Sequence, residues 1–315
     1  MIMKYRRKPV ELECEEALLL FAPENKLSSL LASVKKRASG YKGEREFDYH
    51  LGLVDCNEFR IIQDVRLIHH SQVFQIDTMI FTPKFVAIID VKNNGRVIDL
   101  DGERDQVYSD DEKLSNHIAQ ARRHKILLQR WLAERGFRDY PVEFFVVYSN
   151  PKVILQISPK YEKHFSRFLL IENFPFKFNE LCDEYAKCAA FEGYVVAAKQ
   201  VLAGHRPKQM DVLRTWGVTK EDLVYRGVQC SECNRFGMLR LKGMWQCPNC
   251  KHISKHAHEP MIRAYLIVVD EQISVSECCK VLGIGSRFTA RRLLLHIGLI
   301  SIGSGRGGTY KLPKR

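Results

Sequence analysis

Residues 73–94 have the sequence Val-Phe-Gln-Ile-Asp-Thr-Met-Ile-Phe-Thr-Pro-Lys-Phe-Val-Ala-Ile-Ile-Asp-Val-Lys-Asn-Asn. Two apolar runs are separated by Pro83 and Lys84, a pattern that predicts a β-hairpin with a short turn. If these two residues form the turn, Asp77 lies directly opposite Asp90 in the paired strand. The sequence therefore predicts two facing carboxylates in an otherwise apolar hairpin.

Side chains alternate along a strand, so the same register assigns them to two faces. One face carries Asp77, Asp90 and Lys92, and the other carries Ile76, Ile89 and Val91. An isolated Asp-x-Lys sequence is usually a solvated face, but facing like charges destabilise a sheet unless something positive lies between them. The simplest such partner is a hard divalent cation.

The run Phe-Gln-Ile-Asp-Thr, the following apolar strand and Asp-Val-Lys-Asn resemble the core of the NERD (nuclease-related) domain, which is similar to the PD-(D/E)xK nuclease superfamily. Asp77 corresponds to the first acid, and Asp90-Val91-Lys92 to the (D/E)xK element. Asp90 stands where we expect Glu in most NERD sequences. The resemblance covers about residues 38–150 and implies a restriction-endonuclease-like mixed sheet flanked by helices. The mixture of strands and helices predicts that this α/β domain extends over residues 38–205.

The resemblance also implies the activity, a metal-dependent nuclease that hydrolyses nucleic-acid phosphodiester bonds. Asp77, Asp90 and the carbonyl of Val91 would hold Mg²⁺ or Mn²⁺, which polarises the phosphoryl oxygen. Lys92 would orient the attacking water and stabilise charge on the phosphate.

Two helical residues complete the predicted site. A helix opening at residues 40–44 places Glu44 on the inward face, where it would hold a water molecule or a second ion; a helix-dipole partner is the alternative. In Asn116-His-Ile-Ala-Gln120, the spacing matches a helix that follows the lysine strand in the family, so Gln120 would position Lys92 or the substrate. Asn116 is expected to cap that helix.

The segments outside the α/β domain predict further modules. Residues 1–37 are expected to form an N-terminal helical extension, and residues 206–227 a helical linker. Residues 228–255 contain two Cys-x-x-Cys pairs, Cys230/Cys233 and Cys247/Cys250, with a spacing typical of a zinc ribbon. Four thiolates match a closed structural Zn²⁺ site, and His252, His256 and His258 are predicted to face solvent.

Residues 256–315 show a pattern of three helices and a Gly-rich hairpin that resembles a winged helix-turn-helix. The third predicted helix carries Arg287, Arg291 and Arg292, and Arg306 lies at the predicted hairpin tip. These four arginines are candidate nucleic-acid contacts, although many such modules dock proteins instead. Residues 251–315 hold eleven Lys or Arg against four Asp or Glu, an excess of seven positive charges.

The whole chain has a net charge of +12, which favours a polyanionic partner, with DNA expected first. No stretch approaches the roughly 20 apolar residues of a membrane span, and residues 1–9 lack the apolar segment of a signal peptide. We therefore expect a cytoplasmic protein without membrane contact. Two alternatives to a nuclease stay open: a catalytically inactive nucleic-acid-binding or regulatory protein, and a protein-docking adaptor.

Overall fold

The structure, a computed structural model, describes residues 1–54, 58–104, 106–109, 112–160, 166–303 and 307–313. The chain divides into two compact units. The first comprises residues 1–8 and 38–208, and the second residues 9–37 and 209–315. The segment expected as an N-terminal extension thus lies mostly in the second unit.

The bounds of the secondary-structure elements follow in chain order. The strands of the first unit are β1 (Ile2–Lys4), β2 (Arg60–His69), β3 (Gln72–Phe81), β4 (Val86–Lys92), β5 (Val97–Asp101), β6 (Gln106–Ser109), β7 (Glu112–Leu114), β8 (Val142–Tyr148), β9 (Ile154–Ile157) and β10 (Phe168–Leu170). Those of the second unit are β11 (Leu239–Leu241), β12 (Met244–Gln246), β13 (Ile253–Ser254), β14 (Gln272–Ser274), β15 (Ile300–Ile302) and β16 (Thr309–Lys311). The helices are α1 (Val10–Leu19), α2 (Glu24–Leu51), α3 (His117–Ala133), α4 (Phe174–Glu184), α5 (Tyr194–Gly204), α6 (Val212–Trp216), α7 (Glu259–Val268), α8 (Val275–Leu282) and α9 (Arg287–His296).

The first unit is built on a six-stranded mixed sheet in the order β1-β2-β3-β4-β8-β10. Strands β2, β3 and β4 are antiparallel, whereas β8 runs parallel to β4 and β10 parallel to β8. Helices α3 and α5 bury one face of this sheet, and α4 with the C-terminal part of α2 buries the other. The predicted α/β class with a mixed sheet between helices is confirmed.

The central hairpin has the predicted register. Thr78 pairs with Ile89 and Phe81 with Val86, which leaves the turn at residues 82–85. The assignment of faces was partly wrong, because Ile76 packs in the same core as Met79, away from the core that holds Ile89 and Val91.

The alternation of side chains between the two faces of the sheet changes beside Asp64, whose φ of 53° is in the left-handed region. Asp64 lies opposite the Asp77 position, where the β2–β3 pairing skips a residue pair between Gln63–Thr78 and Val65–Ile76. The pleat is locally reversed at this point, so on its two sides the same face of the sheet receives residues of opposite parity in both strands. Asp77 therefore lies at an irregular point of the sheet.

One other predicted element differs. The helix expected to open at residues 40–44 is the continuation of α2, which starts at Glu24. Strands β5, β6 and β7 join β9 in a second, four-stranded sheet of the first unit, in the order β7-β6-β5-β9.

The second unit has one hydrophobic core shared by its helices and both of its small sheets. One sheet has the order β11-β12-β13, and the other has the order β14-β16-β15. Helices α7, α8 and α9 and the β15–β16 hairpin follow the element order predicted for residues 256–315, and Gly283 ends α8 with a left-handed φ of 65°. Identification of this module as a winged helix stays a prediction. Among the described helices, none is both long enough and apolar enough to cross a membrane.

Candidate metal site and its surroundings

The two acids of the central hairpin lie where the β3–β4 ladder ends. The last paired residues are Thr78 and Ile89, one position before Asp77 and Asp90. Beyond that point Asp77 Oδ2 accepts a hydrogen bond of 2.8 Å from the backbone N–H of Val91. The end of the ladder thus gives a carboxylate access to the backbone of the neighbouring strand.

The backbone carbonyl of Val91 is directed toward β3, the strand that carries Asp77. The C=O of Lys92 points the other way, because it accepts a hydrogen bond from the N–H of Ser149, which follows β8. Backbone groups alternate in direction along a strand, so Val91, which precedes Lys92, presents its N–H and C=O toward β3. The N–H bond from Val91 to Asp77 agrees with that direction. Two acids and one carbonyl oxygen are therefore available at the open end of the hairpin.

Lys92 contacts both Asp90 and helix α3. Its Nζ lies 2.8 Å from Asp90 Oδ2 and donates a 3.1 Å hydrogen bond to Gln120 Oε1. The inward direction predicted for Gln120 is confirmed by this bond. Asn116 caps α3 as predicted, since its side chain accepts from the N–H of Ala119.

The electrostatics of the acids favour neutralisation. Burial, followed by the charge of Asp90, raises the pKa of Asp77 to about 6. Asp90 is 8% exposed, and its Oδ2 has no hydrogen-bond partner of acceptable geometry among the described residues despite the nearby ammonium of Lys92. Repelling acids with a buried oxygen that lacks a hydrogen bond fit a hard cation, which prefers oxygen ligands.

Glu44 lies on α2 and is held by Arg6, which was not among the predicted site residues. Arg6 Nη1 is 2.7 Å from Glu44 Oε2, and the same guanidinium contacts Asp48 and Thr78. Its side chain is only 3% exposed. Arg6 is one of four basic residues in the segment 4–8, and no pattern distinguishes it from the others.

Burial and then the charge of Asp77 raise the pKa of Glu44 to about 8, although Arg6 opposes the shift. Glu44 is thus electrostatically linked to the acid pair through Asp77. The structure gives no direct contact between Glu44 and Lys92 among its described hydrogen bonds and ion pairs.

Gly43 allows α2 to approach the end of the sheet. A Cβ at this position would overlap the Ser149 side chain and lie 2.7 Å from Asn93 Cβ. A Cβ at Gly40, one turn earlier, would meet nothing within 4 Å. The sequence Gly43-Glu44 therefore combines a close helix–strand contact with an acid placed beside it.

Two buried histidines of α3 also surround the site and were missed by the sequence analysis. His117 Nδ1 lies 2.9 Å from Tyr148 Oη, and burial followed by the charge of Lys92 lowers the pKa of His117 to about 3. Burial lowers the pKa of His124 to about 4. Both rings are neutral near pH 7, so they add no positive charge to the acid pair.

In the second unit the four predicted thiols come together. The sulfur atoms of Cys230, Cys233, Cys247 and Cys250 all lie within 4.8 Å of one another. Two pairs, Cys230–Cys250 and Cys233–Cys247, are 3.6 Å apart. Four thiolates at about 2.3 Å from a tetrahedral ion would lie about 3.8 Å apart, so the spacing fits zinc.

The two Cys-x-x-Cys turns share one backbone design. The N–H of Asn234 donates to the C=O of Cys230, and the N–H of Lys251 donates to the C=O of Cys247. Asn234 and Lys251 both have left-handed φ values, 56° and 62°. The matching turns bring the two thiol pairs to one point, and the group is a candidate metal site.

The predicted nucleic-acid contacts are only partly described. Arg287, Arg291 and Arg292 are exposed on α9, and Arg306 lies outside the described residues. The solvent-facing prediction was wrong for His258, which is fully buried, because its ring Nδ1 accepts from Trp245 Nε1 at 3.2 Å. His256 is exposed and His252 is half-buried.

Comparisons with known proteins address the first of these sites. The family model of the nuclease-related domain matches residues 39–149, which include Glu44, the hairpin and Gln120. A search of curated proteins finds no match. A solved structure, SfsA of Pyrococcus furiosus in complex with Ca²⁺, is 18% identical, with a TM-score of 0.21. The alignment covers 48% of this chain and 53% of SfsA, so the chain spans about half of that protein. It is the family match, together with the hairpin geometry, that identifies residues 39–149 as a nuclease-related domain.

Proposed function

We propose that the nuclease-related domain hydrolyses nucleic-acid phosphodiester bonds with Mg²⁺ or Mn²⁺. The observation that carries this proposal is the apposition of Asp77, Asp90 and Lys92 at the open end of the β3–β4 ladder. The raised pKa of Asp77 and the buried Asp90 oxygen without a hydrogen bond are both relieved by a cation between the acids.

The metal ligands in this proposal are Asp77, Asp90 and the carbonyl of Val91. When bound, Mg²⁺ or Mn²⁺ polarises the phosphoryl oxygen and lowers the pKa of a water molecule. Asp90 is shorter than the expected Glu by one methylene. The shorter side chain nevertheless brings Asp90 Oδ2 to 2.8 Å from Lys92 Nζ, so the carboxylate extends far enough to contact the lysine of the site.

The other residues orient groups and balance charge. Lys92 stabilises negative charge on the transferring phosphate, and Gln120 holds the lysine ammonium in place through their 3.1 Å hydrogen bond. Glu44 acts on a water molecule at the edge of the site. Its ion pair with Arg6 opposes the effect of burial and limits the rise of the Glu44 pKa, which lies at about 8.

Affinity for nucleic acid is assigned to the second unit, with DNA as the first substrate to test. Arg287, Arg291 and Arg292 on α9 are exposed, and Arg306 adds to them by sequence. Phosphate contacts by such residues release counterions, so affinity should fall steeply with salt.

Structural zinc in the second unit would be held by the four thiols of Cys230, Cys233, Cys247 and Cys250, and it would fix the shape of this unit.

A second candidate is a nucleic-acid-binding protein without cleavage activity. The observation that favours it is Arg6, whose buried guanidinium already supplies a positive charge beside Glu44 and Asp48. Because Arg6 also opposes the rise in the pKa of Asp77, a bound cation is less needed there. The same experiment separates the two candidates.

The test measures Mn²⁺ binding by calorimetry and cleavage of labelled DNA and RNA by the full chain. Asp77→Asn should weaken Mn²⁺ binding at least tenfold and abolish cleavage, because it removes a ligand charge. Asp139→Asn, an exposed change in the same domain, is the matched control and should leave both unchanged. Asp90→Glu should keep part of the activity.

Wild-type cleavage by Asp77→Asn would refute the proposal. Nucleic-acid binding by a wild-type protein that takes up no Mn²⁺ and cleaves neither substrate would establish the second candidate instead.

A further inference from the structure

The second unit contains a cavity of about 410 Å³ between β11, the start of α7 and α9. Its lining is dominated by basic side chains. These are Arg240, Lys255, His256, His258, Arg292 and His296. We call this space the basic cavity. It does not include the candidate zinc thiols, and no residue of the proposed cleavage site lies in this unit.

His258 presents a fixed hydrogen-bond donor in the basic cavity. Trp245 Nε1 can only donate, so His258 Nδ1 must be the acceptor of their 3.2 Å bond. The proton of the neutral ring then resides on Nε2. That atom is buried and has no hydrogen-bond partner among the described residues, while the side chain itself is 0% exposed.

Arg240 presents a second such donor. Its Nη1 is buried and has no hydrogen-bond partner in the described part of the chain. The guanidinium lies over the Trp245 ring, 5.1 Å from its centroid, which fixes the side chain beside the cavity. Burial, followed by the charge of Arg292, lowers the pKa of Arg240.

The cavity has no acid of its own. None of its described lining residues is Asp or Glu, and the neighbouring Glu259 is 2.7 Å from His256 Nδ1. Within the described residues, the ion pairs include neither Arg240 nor Lys255 nor Arg292. Buried donors that are left unpaired destabilise the fold, so an acceptor with negative charge is the complementary ligand.

We propose that the basic cavity binds a phosphate group, with Arg240, His258 and Arg292 as its donors. A phosphate offers several charged acceptor oxygens to converging donors, and arginine pairs with it in a bidentate manner. The volume is in the range of small-molecule sites, so the phosphate has room to carry a nucleoside. The source is either free phosphate or a nucleotide, or a phosphate of a nucleic-acid strand.

This inference goes beyond the proposed nuclease function and does not depend on it. It assigns Arg292 to a cavity and leaves Arg291, its neighbour on α9, to the open surface. The two arginines have the same charge and are both exposed, but only Arg292 lines the cavity. They therefore provide a matched pair of variants.

The test is calorimetric titration of the zinc-loaded full chain with inorganic phosphate, without Mg²⁺ or Mn²⁺. Wild type should bind one phosphate saturably. Arg240→Met and Arg292→Gln should each weaken binding about ten- to a hundredfold, the loss expected for one hydrogen bond between charged groups. Arg291→Gln should change it less than twofold, and zinc content and melting temperature verify folding of each variant.

Competition then distinguishes the sources. Displacement of phosphate only by a 5′-phosphorylated oligonucleotide, and not by its 5′-hydroxyl form, identifies a terminal phosphate; displacement by both identifies internal phosphates. Displacement by a mononucleotide alone identifies a free ligand.

Two results would overturn the proposal. One is binding that is weakened equally by Arg291→Gln and Arg292→Gln. The other is the absence of any saturable phosphate binding by the folded, zinc-loaded wild type.

Discussion

Arg6→Met is expected to destabilise the first unit by about 3–5 kcal/mol, the range for breaking one side of a buried ion pair. The guanidinium of Arg6 is 2.9 Å from Asp48 Oδ2, 2.7 Å from Glu44 Oε2 and 2.9 Å from Thr78 Oγ1. Methionine fills similar space but offers no donor. Glu44 and Asp48 are 23% and 24% exposed, so water replaces little of what is lost.

The loss should depend on pH in a defined direction. The pKa of Glu44 in the folded protein, about 8, exceeds its ordinary value of 4.5, so folding favours the protonated acid. This contribution to stability is present at low pH and is lost as pH rises toward 8. Because Arg6 lowers the pKa of Glu44, the variant should continue to lose stability above pH 8, and its difference from wild type should grow between pH 6.5 and 9.

The assay is urea unfolding of the full chain at both pH values, followed by circular dichroism. Proteolysis of the β3–β4 segment identifies the transition of the first unit. Arg7→Met is the matched control, since Arg7 is exposed and surface changes usually stay within about 0.5 kcal/mol. Unfolding of both variants at the same urea concentration, at both pH values, would refute the role given to Arg6.

Three further predictions concern other parts of the structure. Gly43→Ala should destabilise the first unit by about 1–3 kcal/mol in urea unfolding, because the added Cβ has no room. Gly40→Ala should instead stabilise α2 by about 0.5–1 kcal/mol, and equal effects of the two changes would contradict the close contact at Gly43. Mn²⁺ affinity should rise between pH 6 and 8, since Asp77 and Glu44 have raised pKa values and a cation displaces their protons; calorimetry showing no change with pH would contradict it. Cys247→Ser should lower zinc content below one per chain by elemental analysis and destabilise the whole second unit, because Cys247 belongs to its common core; a normal zinc content would argue against the thiol site.

The sequence was most informative where local chemistry determines structure. Pro83 and the period-two pattern predicted the hairpin register, and the two Cys-x-x-Cys pairs predicted the thiol cluster. Asn116 was also predicted as the cap of α3, and its side chain accepts from the N–H three residues later. In all these cases the deciding residues lie within a few positions of each other.

The sequence was least informative where contacts join distant segments. Arg6 lies 38 positions from Glu44 and 72 from Thr78, so no spacing rule links them. The face of Ile76 depends on the backbone of Asp64 in the neighbouring strand, and composition does not encode a left-handed residue inside a strand. His258 was assigned to solvent because its partner, Trp245, is contributed by another element.

The most direct test of the central claim is the cleavage rate of Lys92→Met at saturating labelled DNA or RNA. We predict that wild type cleaves with Mg²⁺ or Mn²⁺ and is inactive in EDTA. Lys92→Met should lose at least about a hundredfold in turnover while binding substrate normally, as expected for a charge that acts on the transition state. Lys113→Met, an exposed change in the same domain, should cleave like wild type. Cleavage by Lys92→Met at the wild-type rate, or wild-type cleavage that persists in EDTA, would contradict the account.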